Sequence, residues 1–269
     1  MNEKISIIMG IYNCSKTLPE SIDSILAQTY ENWELIMCDD CSTDDTYKIA
    51  EEYKNKYPDK IILIQNEKNS KLAFSLNHCL EYATGKYVAR MDGDDISVPE
   101  RFEKQVQYLK EHPDVHLIGT AMQRFNEAGL HDIHYPPEKV DRYTLRNRVP
   151  FCHATILTYK YVYDELNGYT VAERTVRGQD CDLWYRFFSK NFNGTNMMEP
   201  LYLVREDQNA IRRRTAKRRW YAYQTEMIGY KLLKYPKLWA LRLTVRVIVK
   251  SLTPYFIVDK YREYQAKKK

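Results

Sequence analysis

Four short apolar runs, each followed by a stretch of helical period, dominate the first hundred residues and constrain the fold more than any other feature. Ile5 to Ile11, Trp33 to Cys38, Lys60 to Gln65 and Tyr87 to Met91 are too short for core helices. The first is continuously apolar rather than alternating, as in a strand buried on both faces of a parallel sheet. Residues 17–29 carry Leu18, Ile22, Ile25 and Leu26 at helical spacing, Ser42-Thr43-Asp44-Asp45 supplies a cap for a helix over 44–56, and Leu72 to Ala83 turns Leu76, Cys79, Leu80 and Ala83 to one side before Gly85. Such alternation predicts an α/β fold, a mixed and mainly parallel sheet with helices on both faces. Ligands of these sheets bind beyond the carboxyl ends of the strands. Tyr12-Asn13, Asp39-Asp40 and Asp92-Gly93-Asp94-Asp95 all stand at strand ends, so the three clusters are predicted to share one crevice.

Farther along, the pattern predicts a helix over 100–111, a strand from Val115 to Phe125, a loop with a helical turn over 128–150, a strand from Ala154 to Thr158 and a helix from Asp180 to Ser189. A chain of 269 residues suits one large domain with an appendage, and 44% apolar against 29% charged residues makes it globular. The charge is split. From Arg212 to Lys269 there are seventeen Lys and Arg against three acids, a net +14, whereas the whole chain carries +5. An acidic body with a basic tail points to an anionic partner for the tail. The six cysteines form no disulfide framework, and Cys38-x-x-Cys41 lacks the second pair that a zinc site needs. The N-terminal apolar run is too short for a signal peptide. The expected setting is therefore cytoplasmic, with Asn193-Gly194-Thr195 unused as a sequon.

The segment A-R-M-D-G-D-D-I-S-V-P-E-R (89–101) concentrates three carboxylates in four positions. Such crowding is costly without a cation. A hard divalent ion takes oxygen ligands and keeps positions open for phosphate, and Gly93 allows a sharp turn. Asp is also common in turns for local reasons, so the residues alone leave a simple Asp-rich turn open.

Five stretches in order settle the choice at the level of resemblance: S-I-I-M-G-I-Y-N (6–13), C-D-D-C-S-T-D-D-T (38–46), N-S-K-L-A-F-S-L-N (69–77), Y-V-A-R-M-D-G-D-D-I-S-V-P-E-R-F-E-K-Q (87–105) and G-Q-D-C-D-L-W (178–184). Together they resemble glycosyltransferase family 2, inverting enzymes of GT-A (Rossmann-like) fold. The resemblance implies a catalytic domain over 1–205, with a nucleotide-binding half over 1–100 and an acceptor half over 101–205. A helical basic extension over 206–269 would follow. It implies a UDP-sugar donor and Mn2+ or Mg2+. The donor would be held by Ile11, Tyr12, Asn13, Asp39, Asp40, Lys71, Asn77, Arg90, Asp92, Gly93 and Arg212. Within that set Asp39 and Asp40 would receive uracil and ribose, and Asp92 would lie near the ribose. Asp94 would bind the metal together with Asp207, Asp180 would be the catalytic base, and His153, Gln179 and Trp184 would face the acceptor.

Several positions depart from the family pattern. Gly10 replaces Pro, Cys41 and Lys71 replace Gly, Gln179 replaces the Glu of an E-D pair, and Asp207 stands where relatives place His. In the tail, Arg242, Arg246 and Lys250 recur every four residues beside apolar positions, and no uninterrupted apolar span of about 20 residues occurs. The tail reads either as a basic amphipathic helix on the inner face of the cell membrane or as a helix packed on the catalytic body. No nucleic-acid motif is present, and homo-oligomer formation is left open. The leading expectation is a peripheral membrane enzyme adding a sugar to a lipid-linked surface polysaccharide or similar glycan. The alternatives are a non-catalytic protein of the same fold that binds nucleotide-sugar or protein, and a soluble enzyme whose tail only mediates oligomerisation.

Overall fold

The computed structural model describes residues 3–206 and 216–252. Four strands, β1 (Ile5–Ile11), β2 (Trp33–Asp39), β3 (Ile61–Gln65) and β4 (Tyr87–Arg90), alternate with α1 (Leu18–Leu26), α2 (Thr46–Lys56) and α3 (Leu72–Tyr82). Their pairing is parallel in the order β3-β2-β1-β4. The register sets Ile11 opposite Asp39 and Asp39 opposite Gln65, so these carboxyl ends finish level with one another.

Beyond β4 the chain builds a mixed half: β5 (Ile96–Ser97), α4 (Arg101–Glu111), β6 (Leu117–Asn126), β7 (Gly129–His134), β8 (Leu157–Tyr159), α5 (Lys160–Leu166), α6 (Gln179–Ser189) and β9 (Gly194–Arg205). The full order is β3-β2-β1-β4-β8-β6-β9-β5, with β7 hairpinned onto β6. Each strand of the parallel half sends alternate side chains to opposite faces. Ile8 and Ile36 meet α3 and α6 residues in one core, while Ile7, Met9, Leu35 and Met37 meet α1 and α4 in the other.

Two strands correct the sequence reading. Residues 129–134 form β7 instead of a loop; the strand is almost wholly exposed and lacks an apolar alternation. The twelve-residue β9 was not foreseen. It contains Pro200, which argues against an interior strand, yet Pro200 sits where the β6–β9 register jumps, the bulge that accommodates it. Among the described residues, the tail forms α7 (Ala216–Leu232) and α8 (Lys237–Leu252).

The tail packs on the body. A Cβ on Gly229 would lie 2.2 Å from the Tyr185 ring, so the ring of α6 rests directly on the backbone of α7. Tyr230, Leu233, Tyr235 and Leu243 join the α3–α6 core. The opposite face of α8 stays exposed, with Leu238 and Leu241 55% and 59% accessible. No helix among the described residues is long and apolar enough to cross a membrane.

Candidate active site

The carboxylate turn after β4 is held from beneath by α1 and from the side by β9. Ser21 Oγ contacts the carbonyls of Asp92 and Asp95 at 2.7 and 2.6 Å, and Thr17 Oγ1 donates to the Gly93 carbonyl at 3.0 Å. A Cβ at Gly93 would come within 3.1 Å of Cys14 Sγ and 3.2 Å of Ile11, so the turn lies too close to β1 for a larger residue. Tyr202 of β9 accepts the Asp92 amide at 3.1 Å. Arg205, at the end of β9, donates its amide to Asp95 Oδ1 at 2.9 Å and its Nε to the Asp94 carbonyl at 3.0 Å. Beneath them the buried Arg101 donates to the Arg90, Ala154 and Ile156 carbonyls, tying β4 to β8.

Ligand atoms of Asp92, Asp94 and Asp95 lie within 4.8 Å of one another. Oxygen donors at that spacing fit a hard divalent cation. The three acids are not equivalent. Asp92 is paired with the buried guanidinium of Arg90. Asp94 is open to solvent at the lip of the cleft, where the surrounding protein and the Asp92 charge push its carboxyl up. Asp95 is buried, and desolvation followed by the charges of Asp92 and Asp94 raises it well above the carboxylate range. Asp95 was expected only as part of the carboxylate cluster, without a role of its own; Ser21, Tyr202 and Arg205 were not expected and carry no local signal of their role.

The nucleotide-side residues separate into two groups. Asp39 is fully buried; its Oδ2 accepts the Ser42 amide and Gln65 Nε2, and its Oδ1 has no partner. A buried acceptor left open at a strand end is an available contact for a ligand donor. Asn13, at φ 49°, binds the Thr43 amide through Oδ1, which ties the end of β1 to the loop after β2, and Tyr12 is exposed. The Ile11 side chain is core, and its carbonyl accepts the Asp40 amide.

Two of the expected donor ligands also hold the scaffold. Both oxygens of Asp40 are committed to the loop before α3: Oδ1 accepts Asn66 Nδ2 and the Ser70 amide, and Oδ2 accepts the Lys71 amide. This holds Lys71 at φ 73° at the start of α3, its side chain exposed. Asn77 closes a two-point clamp on the Tyr169 backbone at 2.8 and 2.7 Å. Asp207 and Arg212 lie outside the described residues.

On the other wall, Asp180 sits half-buried in the first turn of α6 and makes no hydrogen bond among the described residues. The helix cap falls on Gly178, so Asp180 is not spent on capping. Its neighbour in the motif, Asp182, is buried and committed: Thr170 Oγ1, Arg174 Nη1 and Arg186 Nε reach it at 2.6, 2.6 and 2.8 Å. Burial pushes that carboxyl up, but these donors outweigh it and leave it below the ordinary range. Gln179 turns its Oε1 back onto the Gly178 amide. His153 Nε2 meets Tyr169 Oη at 2.8 Å; burial and the Arg90 cation hold its imidazole well below the usual value, hence neutral. Burial, then Tyr163, push the Tyr169 hydroxyl well above its ordinary value; Arg90 lowers it and Asp180 raises it by smaller amounts. Trp184 corrects another expectation. It is fully buried among Phe151, His153 and Phe187, and it offers no ring face to an acceptor sugar.

A parallel half-sheet, an Asp-Gly-Asp turn at its carboxyl edge and a G-x-D-x-D helix occur together in this order, and residues 6–166 match the family model "Glycosyl transferase family 2". The chain belongs to glycosyltransferase family 2. Within the family it is 51% identical over 212 residues to a protein of Bacillus subtilis (strain 168) named as the glycosyltransferase EpsE, covering 79% of this chain and 76% of that one. Its fold is GT-A. The structure of S. aureus TarS 1–349 in complex with UDP-GlcNAc is similar at TM-score 0.70 and 18% identity, over 89% of this chain and 69% of that one. A mannosyltransferase from Pyrobaculum calidifontis in complex with GDP-Man and Mn2+ is similar at TM-score 0.67 and 16% identity, over 99% and 80%.

Proposed function

We propose that this glycosyltransferase is a metal-dependent, inverting enzyme that moves a hexosyl group from a UDP-sugar to a lipid-linked surface polysaccharide precursor or similar glycan. The observation that carries the reading is the convergence of Asp92, Asp94 and Asp95 at the carboxyl edge of the parallel strands. The buried, partnerless Asp39 Oδ1 in the same crevice supports a nucleobase there, since it can accept an imide N–H such as that of uracil. Bound Mn2+ or Mg2+ supplies charge neutralisation of the leaving diphosphate.

The chain's own residues do the rest. Asp180 takes the proton of the acceptor hydroxyl. That oxygen bonds to the anomeric carbon from the face opposite the diphosphate, the bond to the diphosphate oxygen breaks, and the configuration inverts. Asp180 is suited to this because, among the described residues, its carboxylate is not consumed by a cap or an ion pair, whereas Asp182 is. His153, held neutral, contributes a hydrogen bond rather than a charge.

The exposed apolar face of α8, with Leu238, Leu241, Val245 and Ile248 beside the exposed Arg242, supports docking of this helix on the anionic inner face of the membrane. Calorimetric titration with UDP, in Mn2+ and then in EDTA, on the wild type and Asp94→Ala tests the donor site. Metal-dependent binding that the variant loses is expected; binding of equal strength in EDTA would sink the metal-dependent reading.

A further inference from the structure

A second cavity of about 380 Å³ lies behind the N-terminal turn of α6, bounded by the 145–149 segment, α7 and α8. Its size falls within the roughly 300–1,000 Å³ of sites that hold small organic ligands. Four guanidinium groups stand on its walls, Arg146, Arg148, Arg219 and Arg246, against one acid, Glu226. Arg246 reaches Glu226 at 3.4 Å, and Arg146 is held over the Trp239 ring at 4.2 Å. Arg148 and Arg219 are exposed and enter no ion pair among the described residues. The cavity therefore carries a surplus of positive charge in the form best suited to bidentate phosphate binding.

The same walls are apolar between the cations, through Leu243 and Val247 of α8. They also include Trp184 and Tyr185 of α6. Cys181 lines the cavity next to Asp180 in sequence, which sets the cavity beside the proposed base. A shallower apolar groove along Leu241 and Val245 adjoins it through the shared Arg246.

We propose that this cavity binds the anionic end of an amphiphile, a phosphate or diphosphate ester on a long apolar chain. In the glycosyl-transfer reading, on which this rests, that ligand is the lipid carrier of the acceptor, held so that its sugar reaches Asp180. The arginines grip the phosphate, and the groove on α8 takes the first units of the chain toward the membrane. Neither cations alone nor an apolar wall alone selects this class; the combination does.

The test is calorimetric titration of the full chain in EDTA with farnesyl diphosphate, with inorganic diphosphate, and with farnesyl diphosphate in the presence of phosphatidylglycerol vesicles. The wild type should bind farnesyl diphosphate saturably and inorganic diphosphate at least about tenfold more weakly, since the apolar chain contributes through burial. The double variant Arg148→Gln/Arg219→Gln should weaken farnesyl diphosphate about tenfold or more through lost charge-assisted hydrogen bonds, while Asp94→Ala leaves it unchanged. Absence of saturable binding, an unaffected double variant, or loss in Asp94→Ala would each overturn the assignment. Displacement by the vesicles would assign the arginines to membrane headgroups instead of an acceptor carrier. UDP titration in Mn2+ on the same samples reads the donor site separately, so failure of glycosyl transfer and failure of this cavity are distinguishable.

Discussion

Arg90 places both terminal nitrogens on the carboxylate of Asp92, Nη1 donating to Oδ2 at 2.6 Å and Nη2 to Oδ1, from a side chain that is almost fully buried. The pair assigns unlike roles to the three acids of the turn. Asp92 is neutralised from within the chain, Asp95 is buried against Arg205, and Asp94 is the most exposed of the three. A cation arriving from water meets Asp94 first.

Arg90→Leu breaks this pair and leaves three acids without their internal counter-charge. Asp92 retains some solvent contact, so the cost falls below the roughly 3–5 kcal/mol of a fully buried pair, at about 2 kcal/mol. Urea unfolding measures it; an unchanged midpoint would show that the pair contributes nothing. The double variant Arg90→Leu/Asp92→Leu should recover part of the loss, because the carboxylate that Arg90 paired is then removed as well.

Asp94→Asn separates metal binding from folding. The crowding that raises the Asp94 carboxyl opposes its charged form in the folded state, so removing that charge leaves stability at pH 7 equal or slightly higher. Affinity for UDP in Mn2+ should fall at least about tenfold, the same direction as EDTA produces in the wild type. A variant that unfolds at lower urea yet keeps its UDP affinity would reverse the assignment.

Asp180→Asn should lower turnover by about 10² to 10⁴, the usual contribution of a positioned general base. UDP affinity should stay as in the wild type, since Asp180 stands on α6 and not on the carboxylate turn. Product formation and calorimetry on one preparation check both halves. A loss confined to UDP affinity would place Asp180 on the donor instead.

His153 predicts a pH dependence. Its folded-state value lies well below the ordinary imidazole value, so the unfolded chain binds more protons as the pH falls below about 6.5. Stability contributed by the neutral ring is fully present above that pH and is lost progressively toward the folded value. Thermal unfolding between pH 7.5 and pH 5 should therefore show a smaller decline in His153→Gln than in the wild type. Equal slopes would place the acid sensitivity elsewhere.

Gly229→Ala opposes two effects. Helix propensity favours Ala by about 1 kcal/mol, but its Cβ would sit 2.2 Å from the Tyr185 ring. Overpacking of that kind costs about 1–3 kcal/mol, so the contact wins and α7 loosens from α6. Limited proteolysis near residues 216–232 should accelerate.

The parallel half was legible because its signals are local. Continuous apolar runs and capped amphipathic segments placed β1 to β4 and α1 to α3 to within a few residues, and strand polarity then put Asp39 and Asp92 at one edge. β9 escaped because Pro200 looks like a strand breaker until the bulge on β6 absorbs it. β7 escaped because an exposed hairpin arm needs no apolar face.

The sequence by itself determined the fold class, the crevice and the presence of three crowded acids, since each depends on residues near one another in the chain. Only the tertiary structure decided how similar side chains divide their work. Among the described residues, Asp39 keeps an oxygen without a partner while Asp40 holds the loop before α3; Asp180 enters no ion pair while Asp182 is clamped; Asn77 holds the Tyr169 backbone and Trp184 is buried. The reason is physical. A carboxylate or an amide is available to a ligand only if no donor or carbonyl elsewhere has claimed it, and the claimants, from Arg174 and Tyr169 to Arg205, are brought to their places by packing between elements distant in sequence.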